Sequence, residues 1–191
     1  MKSVFKFLVL ILIVSSCAKD EPLTPDEKTI ICESDRYVEQ IFTDTEILTV
    51  KYGSNINTLG LNQDLLMDVY QPVGDTLKKR PVVVLAFGGS FITGDRKQLA
   101  DLAKEIAKLG YVTACIDYRL LSLTQWPIDS IKGFDIAIKA SGDMKAAIRH
   151  LRKDAATTNT FRIDPDMIIA GGVSAGAITA IQASYFDITD N

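Results

Sequence analysis

Hydrophobic and polar positions follow three rhythms along this chain. Residues 4–14 form an almost unbroken apolar run behind Lys2; the run is too short to span a bilayer comfortably and reads as an export signal. Residues 18–28 carry two prolines, mixed charge and Leu23 as their one large apolar side chain, the composition of a tether. Alternating or clustered apolar residues over 46–52 and 65–70 predict two strands joined through a loop at Gly53-Ser54-Asn55, forming an antiparallel edge. Residues 82–87 are a continuous β-branched run, as expected of a strand buried on both faces. Leu99, Leu102, Ala103, Ile106 and Leu109 then recur at helical spacing and stop at Gly110. A strand over 111–118 follows at once, and a loop containing Trp126-Pro127 leads into a helical stretch with Met144, Ala147, Ile148 and Leu151 on one face. Asp164-Pro165 turns the chain into another apolar run, 167–170. Strands alternating with helices predict an α/β domain with a mostly parallel sheet, because each parallel crossover needs a helix to bring the chain back. The innermost strands are expected at 82–87, 111–118 and 167–171, and the flanking helices near 98–109 and 143–154.

Composition narrows the class without changing it. With 191 residues, 47% hydrophobic and a net charge of −3, the chain reads as one globular domain, and no basic excess points to nucleic acid. The apolar run ends in Val14-Ser15-Ser16-Cys17, which resembles a bacterial lipoprotein signal. That resemblance implies that residues 1–16 are removed and that Cys17 becomes a lipidated N-terminus, holding the protein on a membrane of the bacterial cell envelope. The mature chain would then carry 19 basic and 24 acidic residues, a net −5. Residues 17–45 are the expected tether and lead-in, and 46–191 the domain. Cys32 and Cys115 could pair in an exported protein, but Cys115 sits in an apolar strand pattern and reads as a small buried hydrophobe.

The candidate chemistry centres on Gly172-Val173-Ser174-Ala175-Gly176, which follows the run 167–170 and precedes a helix-like 177–185. Strand, sharp turn and helix would expose the Ser174 hydroxyl where only small neighbours fit; the plainer reading of such a pentad is an ordinary glycine-rich turn. Gly88-Gly89-Ser90-Phe91 follows the strand 82–87 and offers either a flexible connection or closely approaching backbone N–H groups. Asp164-Pro165-Asp166 and Asp35-Arg36 have turn chemistry and no metal-ligand spacing, so no metal is expected. Lys104-Glu105 and Arg149, Arg152 and Lys153 read as solvated helix faces. Phe91, Trp126 and Phe134 could line an apolar pocket or pack into the core.

Taken in order, Leu66-Met67-Asp68-Val69-Tyr70-Gln71-Pro72, Pro81-Val82-Val83-Val84, Phe87-Gly88-Gly89-Ser90, Gly110-Tyr111-Val112-Thr113, Asp117-Tyr118-Arg119-Leu120, the run from Asp143 to Arg149 and Gly172-Val173-Ser174-Ala175-Gly176 resemble the α/β-hydrolase fold. The match is to carboxylesterases carrying a His-Gly-Gly motif and covers residues 46–186. The resemblance implies a serine carboxylesterase without cofactor, acting on a small-molecule or polymer-borne ester. Ser174 would be its nucleophile; the N–H groups of Ala175, Gly88, Gly89 and Ser90 would be candidates for its oxyanion hole. It also suggests that Arg119 and Asp143 pair to tie loop to helix. Phe87 departs from the pattern: it stands where the family has histidine and cannot brace the loop through side-chain hydrogen bonds. The sole histidine, His150, precedes the nucleophile, whereas the fold supplies serine, acid and histidine in that order, so His150 reads as a helix residue. Only seventeen residues follow Ser174, with Asp187 and Asp190 in a polar tail. No full triad can be drawn, and the C-terminal part of the fold is expected to be missing. Two functions follow: an exported, lipid-anchored esterase, or a catalytically silent lipoprotein keeping the fold as a binding or scaffold module.

Overall fold

The computed structural model describes residues 35–186 apart from Trp126 and Ile128. In chain order it comprises strands β1 (Thr45–Ile56), β2 (Asn62–Pro72) and β3 (Arg80–Ala86), helix α1 (Ala100–Lys108), strand β4 (Val112–Ile116), helix α2 (Ser130–Ala156), strand β5 (Ile163–Gly172) and helix α3 (Ala175–Tyr185). The strands form one sheet in the order β1-β2-β4-β3-β5. β1 and β2 run antiparallel, β2 is antiparallel to β4, and β3 lies parallel to both β4 and β5.

The expected α/β architecture is present, with two corrections to its layout. β5 is not an inner strand: among the described residues it pairs only with β3, and β2 takes an interior place instead. Its apolar run predicts an inner strand, yet Met167 is 53% exposed and Ile169 48% exposed. The β1–β2 turn also falls later than Gly53-Ser54-Asn55. It lies at 57–61, where the Asn57 N–H donates to the Leu61 carbonyl at 2.8 Å and the Asn57 carboxamide oxygen accepts from the Leu59 and Leu61 N–H groups. Gly53 instead marks a register shift inside β1, a bulge that leaves Tyr52 unpaired with its side chain buried.

Alternation along the inner strands supplies two apolar faces. Met67, Val69, Val82, Val84, Ala86, Val112, Ala114 and Ile116 belong to the larger core, with Ala140, Met144, Ala147 and Leu151 of α2 and Ala180 of α3. On the other face Tyr70, Leu85 and Cys115 pack against Ala103 and Ala107 of α1. The Cys115 thiol is free, and burial, followed by the nearby Asp68 charge, pushes its pKa up to about 12. Cys17 and Cys32 lie outside the described residues.

Helix α2 is much longer than the expected 143–154. Its start is fixed by Asp129, whose carboxylate accepts from the Lys132 N–H at 2.8 Å. The first turns escape sequence notice because Ile131 and Phe134 are exposed rather than part of a buried stripe. Asp154 closes the helix by accepting from the Thr158 hydroxyl at 2.6 Å and the Phe161 N–H at 3.1 Å. Burial opposes ionisation there, but these bonds hold the Asp154 carboxyl below its usual pKa.

At the opposite end of the sheet from the Ser174 turn, Arg80 is fully buried and donates to Gln71 Oε1 at 2.5 Å and the Phe161 carbonyl at 2.7 Å. Its Nη1 lies 3.4 Å from Asp75 Oδ2, which also pairs with Arg36 at 2.5 Å. Residues 35–44 thus pack against the body: Tyr37 and Phe42 donate their N–H groups to the Leu109 and Lys108 carbonyls. Among the described residues no helix is long and apolar enough to cross a membrane.

Candidate active site

Ser174 stands between the end of β5 and the start of α3 with φ +53° and ψ −118°, a backbone conformation that a residue with a Cβ adopts only at a cost. The turn is enforced from beneath. A Cβ on Gly172 would fall 2.6 Å from the Ala86 carbonyl oxygen, and one on Gly176 would fall 2.5 Å from the Phe87 carbonyl oxygen. Strand β5, helix α3 and the end of β3 therefore meet at distances that only glycine permits. The Val173 N–H donates to the Ala86 carbonyl at 3.1 Å and fixes the turn to β3. Ser174 is exposed, and its side chain makes no capping bond to the helix. Its carbonyl accepts from the Ala177 and Ile178 N–H groups. The Ala175 N–H, at the positive end of α3, has no acceptor among the described residues.

The Gly88–Phe91 segment lies directly against this turn. A Cβ on Gly88 would be 3.2 Å from Ser174 Cβ and 3.1 Å from the Val173 carbonyl oxygen. Gly89, Ser90 and Phe91 all have positive φ, +129°, +54° and +61°. The Gly89 carbonyl accepts from the Ile92 and Thr93 N–H groups at 2.9 and 3.2 Å, closing a tight turn. The N–H groups of Gly88, Gly89 and Ser90 are left without acceptors among the described residues. The structure thus sets the Gly88–Phe91 segment against the Ser174 turn, with backbone N–H groups of both left without acceptors among the described residues.

The absence of histidine at position 87 does not leave this loop unbraced. The Phe87 ring stacks on Tyr118 with centroids 4.3 Å apart and planes 18° from parallel, while the Tyr118 hydroxyl donates to the Phe87 carbonyl at 2.7 Å. Burial raises the Tyr118 pKa above its ordinary value, keeping the phenol protonated as a donor. The far end of the loop is tied by Arg96, whose backbone N–H and Nη1 both donate to the Asp117 carboxylate at 2.8 Å and whose Nε lies 2.8 Å from Asp68 Oδ1. The Tyr52 hydroxyl, aimed inward by the β1 bulge, donates to the Asp117 carbonyl. Its pKa is held well above the usual value by burial first, then by Asp143 and Asp117. Sequence reasoning noted Asp117-Tyr118 but assigned neither a role; the signal was an aromatic and an acid immediately after an apolar strand.

The Arg119–Asp143 pair is formed. Arg119 Nη2 and Nε donate to the carboxylate at 2.8 and 2.9 Å, and the Arg119 backbone N–H donates to Oδ2 at 2.9 Å. Further bonds from Arg119 reach the Ile56 and Lys139 carbonyls, so this pair joins the β1–β2 turn, the segment after β4 and α2.

Other expectations separate from the site. His150 lies towards the end of α2 beside Lys153, Asp154, Thr157 and Thr158, where the chain turns back into the start of β5 and away from the Ser174 end. Phe91 is half-buried and meets Tyr118 edge-on at 6.1 Å. Phe134 is 61% exposed, so core packing does not hold it; Trp126, Asp187 and Asp190 lie outside the described residues. A cavity of about 380 Å³ between α2, β5 and α3 is lined by Lys145, Arg149 and Arg152 and includes no residue of the Ser174 site. Among the described residues no group of His, Cys, Asp and Glu side chains is arranged to hold a metal ion.

Comparison with known proteins gives this geometry a context. The sequence model of a family described as BD-FAE matches residues 67–189. Over 117 residues the chain is 32% identical to a probable isoprenylcysteine alpha-carbonyl methylesterase of Oryza sativa subsp. japonica, covering 61% of this chain and 25% of that one. Over 143 residues it is 27% identical to a non-reducing polyketide synthase of Aspergillus novofumigatus, covering 72% of this chain and 6% of the synthase. Among solved structures, a bacterial heroin esterase superposes with a TM-score of 0.55 at 24% identity, covering 73% of this chain and 38% of that one. Thermogutta terrifontis esterase 2 gives the same TM-score and identity over 71% of this chain and 46% of its own. These structures share the α/β-hydrolase fold with this chain, which spans less than half of either esterase and a quarter or less of either curated relative.

Proposed function

The chain belongs to the BD-FAE family, and from that premise we propose that it carries the nucleophile half of a carboxylic-ester hydrolase. The observation that carries this reading is the strained Ser174 turn set against the Gly88–Phe91 loop. Ser174 Oγ attacks the ester carbonyl carbon while its proton passes to a base; the carbonyl oxygen becomes an oxyanion that accepts from the Ala175 N–H and from N–H groups of Gly88, Gly89 or Ser90. The alkoxide leaves as the alcohol with the proton returned, and water then cleaves the acyl-enzyme. Fixed backbone donors stabilise the oxyanion without reorganising as charge develops, an effect of about 3 kcal/mol per donor. The methylesterase and esterase relatives support ester chemistry.

Strong catalysis also needs a base and an acid to orient it, and His150 is poorly placed to be either. The 191 residues alone are therefore expected to hydrolyse an activated ester weakly or not at all. The chain spans 38% and 46% of the two esterases it matches, so activity is tested both in these residues and in any longer form. The test is a short p-nitrophenyl ester assayed with these residues alone, with any coding sequence that continues from Asn191, and with Ser174→Ala in both. Ser174-dependent turnover in the longer form supports the reading; turnover indifferent to Ser174→Ala overturns it. A second reading, a silent fold retained as a binding or scaffold module, predicts no Ser174-dependent turnover in either form.

Export and lipid anchoring through Cys17 belong to the same proposal, supported by the apolar run 4–14 and the small residues before the cysteine. Detergent should release the mature protein from membranes, and Cys17→Ser should leave it soluble. Full membrane retention of that variant would count against the anchor.

A further inference from the structure

We propose that Tyr118 is the positioning residue that aims the loop facing Ser174; its catalytic consequence rests on the esterase reading above, while its effect on the loop does not. Three consecutive residues of the loop, Gly89, Ser90 and Phe91, hold positive φ. For serine and phenylalanine this is a conformation that must be imposed from outside. The imposing contacts converge on the segment after β4. The Tyr118 hydroxyl holds the Phe87 carbonyl at 2.7 Å, and the Leu121 N–H holds the Phe91 carbonyl at 2.7 Å. The two rings of Phe87 and Phe91 meet Tyr118 face-on and edge-on. A Cβ on Gly94 would run into the Phe87 ring, 2.6 Å from its Cε2, so the ring is confined on that side as well.

The hydroxyl acts through peptide geometry. In a trans peptide the carbonyl and the following N–H point in opposite directions within one plane. Fixing the Phe87 oxygen towards Tyr118 therefore fixes the Gly88 N–H in the opposite sense, on a residue that touches Ser174. Without the hydroxyl the 87–88 peptide can rotate, and the donors that follow it rotate too. The Phe87–Tyr118 stack alone restrains a side chain, which a carbonyl-bound hydroxyl converts into restraint of the main chain.

Tyr118→Phe tests this, since it keeps the ring and removes only the donor. On the folded chain, amide hydrogen exchange at Ile92, Thr93 and Leu121, whose N–H groups close and anchor the loop, should quicken by about 10-fold, as expected when one buried hydrogen bond is lost. The Val173 N–H, bonded to the Ala86 carbonyl, should be unaffected. In whichever form shows Ser174-dependent turnover, kcat per titrated Ser174 should fall by about 10-fold with KM unchanged, the mark of a lost transition-state interaction. Unchanged exchange at the three loop amides overturns the proposal, and so does a loosened loop with unchanged kcat. If the wild type shows no Ser174-dependent turnover, the esterase reading fails, and the exchange measurement still decides whether Tyr118 sets the loop. A Phe87→Leu variant, which removes the stack but leaves the carbonyl for Tyr118, should keep slow exchange at Ile92; rapid exchange there would assign the brace to the rings instead.

Discussion

At the scale of single residues, Ser174 and Asp143 show how differently a side chain can relate to stability. The φ of +53° at Ser174 is one that glycine adopts freely and serine does not. Ser174→Gly should therefore be more stable than Ser174→Ala, which keeps the Cβ, by about 1 kcal/mol in urea denaturation. Equal stabilities would mean that the turn carries no strain. Asp143 is the reverse case: its carboxylate is 2% exposed and accepts three charge-assisted bonds from the Arg119 guanidinium and a fourth from its backbone N–H. Asp143→Ala leaves a buried guanidinium uncompensated and should cost about 3–5 kcal/mol. A loss below about 1 kcal/mol would show the pair to be solvated in solution. Asp143 and Ser174 were both readable in advance as members of ordered motifs. Tyr118 belongs to such a motif as well, but its role was not readable, because nothing in a sequence says that a hydroxyl will reach a carbonyl thirty-one positions away.

Elements were legible where their pattern is local. The run 82–87 declared β3, and the stripe ending at Gly110 declared α1, because burial repeats with the period of the backbone itself. The first half of α2 escaped because Ile131, Phe134 and Ile138 face solvent and Gly133 interrupts the pattern. The β1–β2 turn was misplaced because Gly53 signals a bulge and a turn equally well, and only pairing with Leu65 settles which. Two element junctions also carry pH dependence. Asp154 at the end of α2 and Asp75 beside Arg36 both titrate below the ordinary carboxyl value; burial resists ionisation at each, but hydrogen bonds, from Thr158 and from Arg36 respectively, outweigh it. A depressed folded-state pKa contributes stability that is fully present above the unfolded value, about 3.9, and is lost as pH falls through the folded value. The melting temperature should therefore drop steeply below about pH 4. Asp154→Asn should lower it at neutral pH and flatten the acid limb; an acid limb of unchanged slope would remove Asp154 from the account.

For the whole molecule the sheet's outer boundary matters most. Among the described residues α1 packs against the strands beside β3 and leaves the same face of β5 open, where Met167 and Ile169 are half-exposed next to a strand edge that pairs with no other described strand. Such an edge favours pairing with another chain. The isolated chain should self-associate with rising concentration, and Ile169→Lys should suppress this in light scattering without altering the far-ultraviolet dichroism. Association unaffected by the lysine would place the sticky surface elsewhere, with the exposed Ile178 and Ile181 of α3 the next to change. The strain at Ser174 has its own consequence at this scale, visible over generations rather than in a cuvette. A domain of this size is stable by only about 5–15 kcal/mol, so a glycine at position 174 would be a gift to any lineage that no longer used the hydroxyl. Drift takes such gifts when selection does not object. Serine in this conformation is thus a small standing cost, and its retention across related chains would mark a hydroxyl still in use.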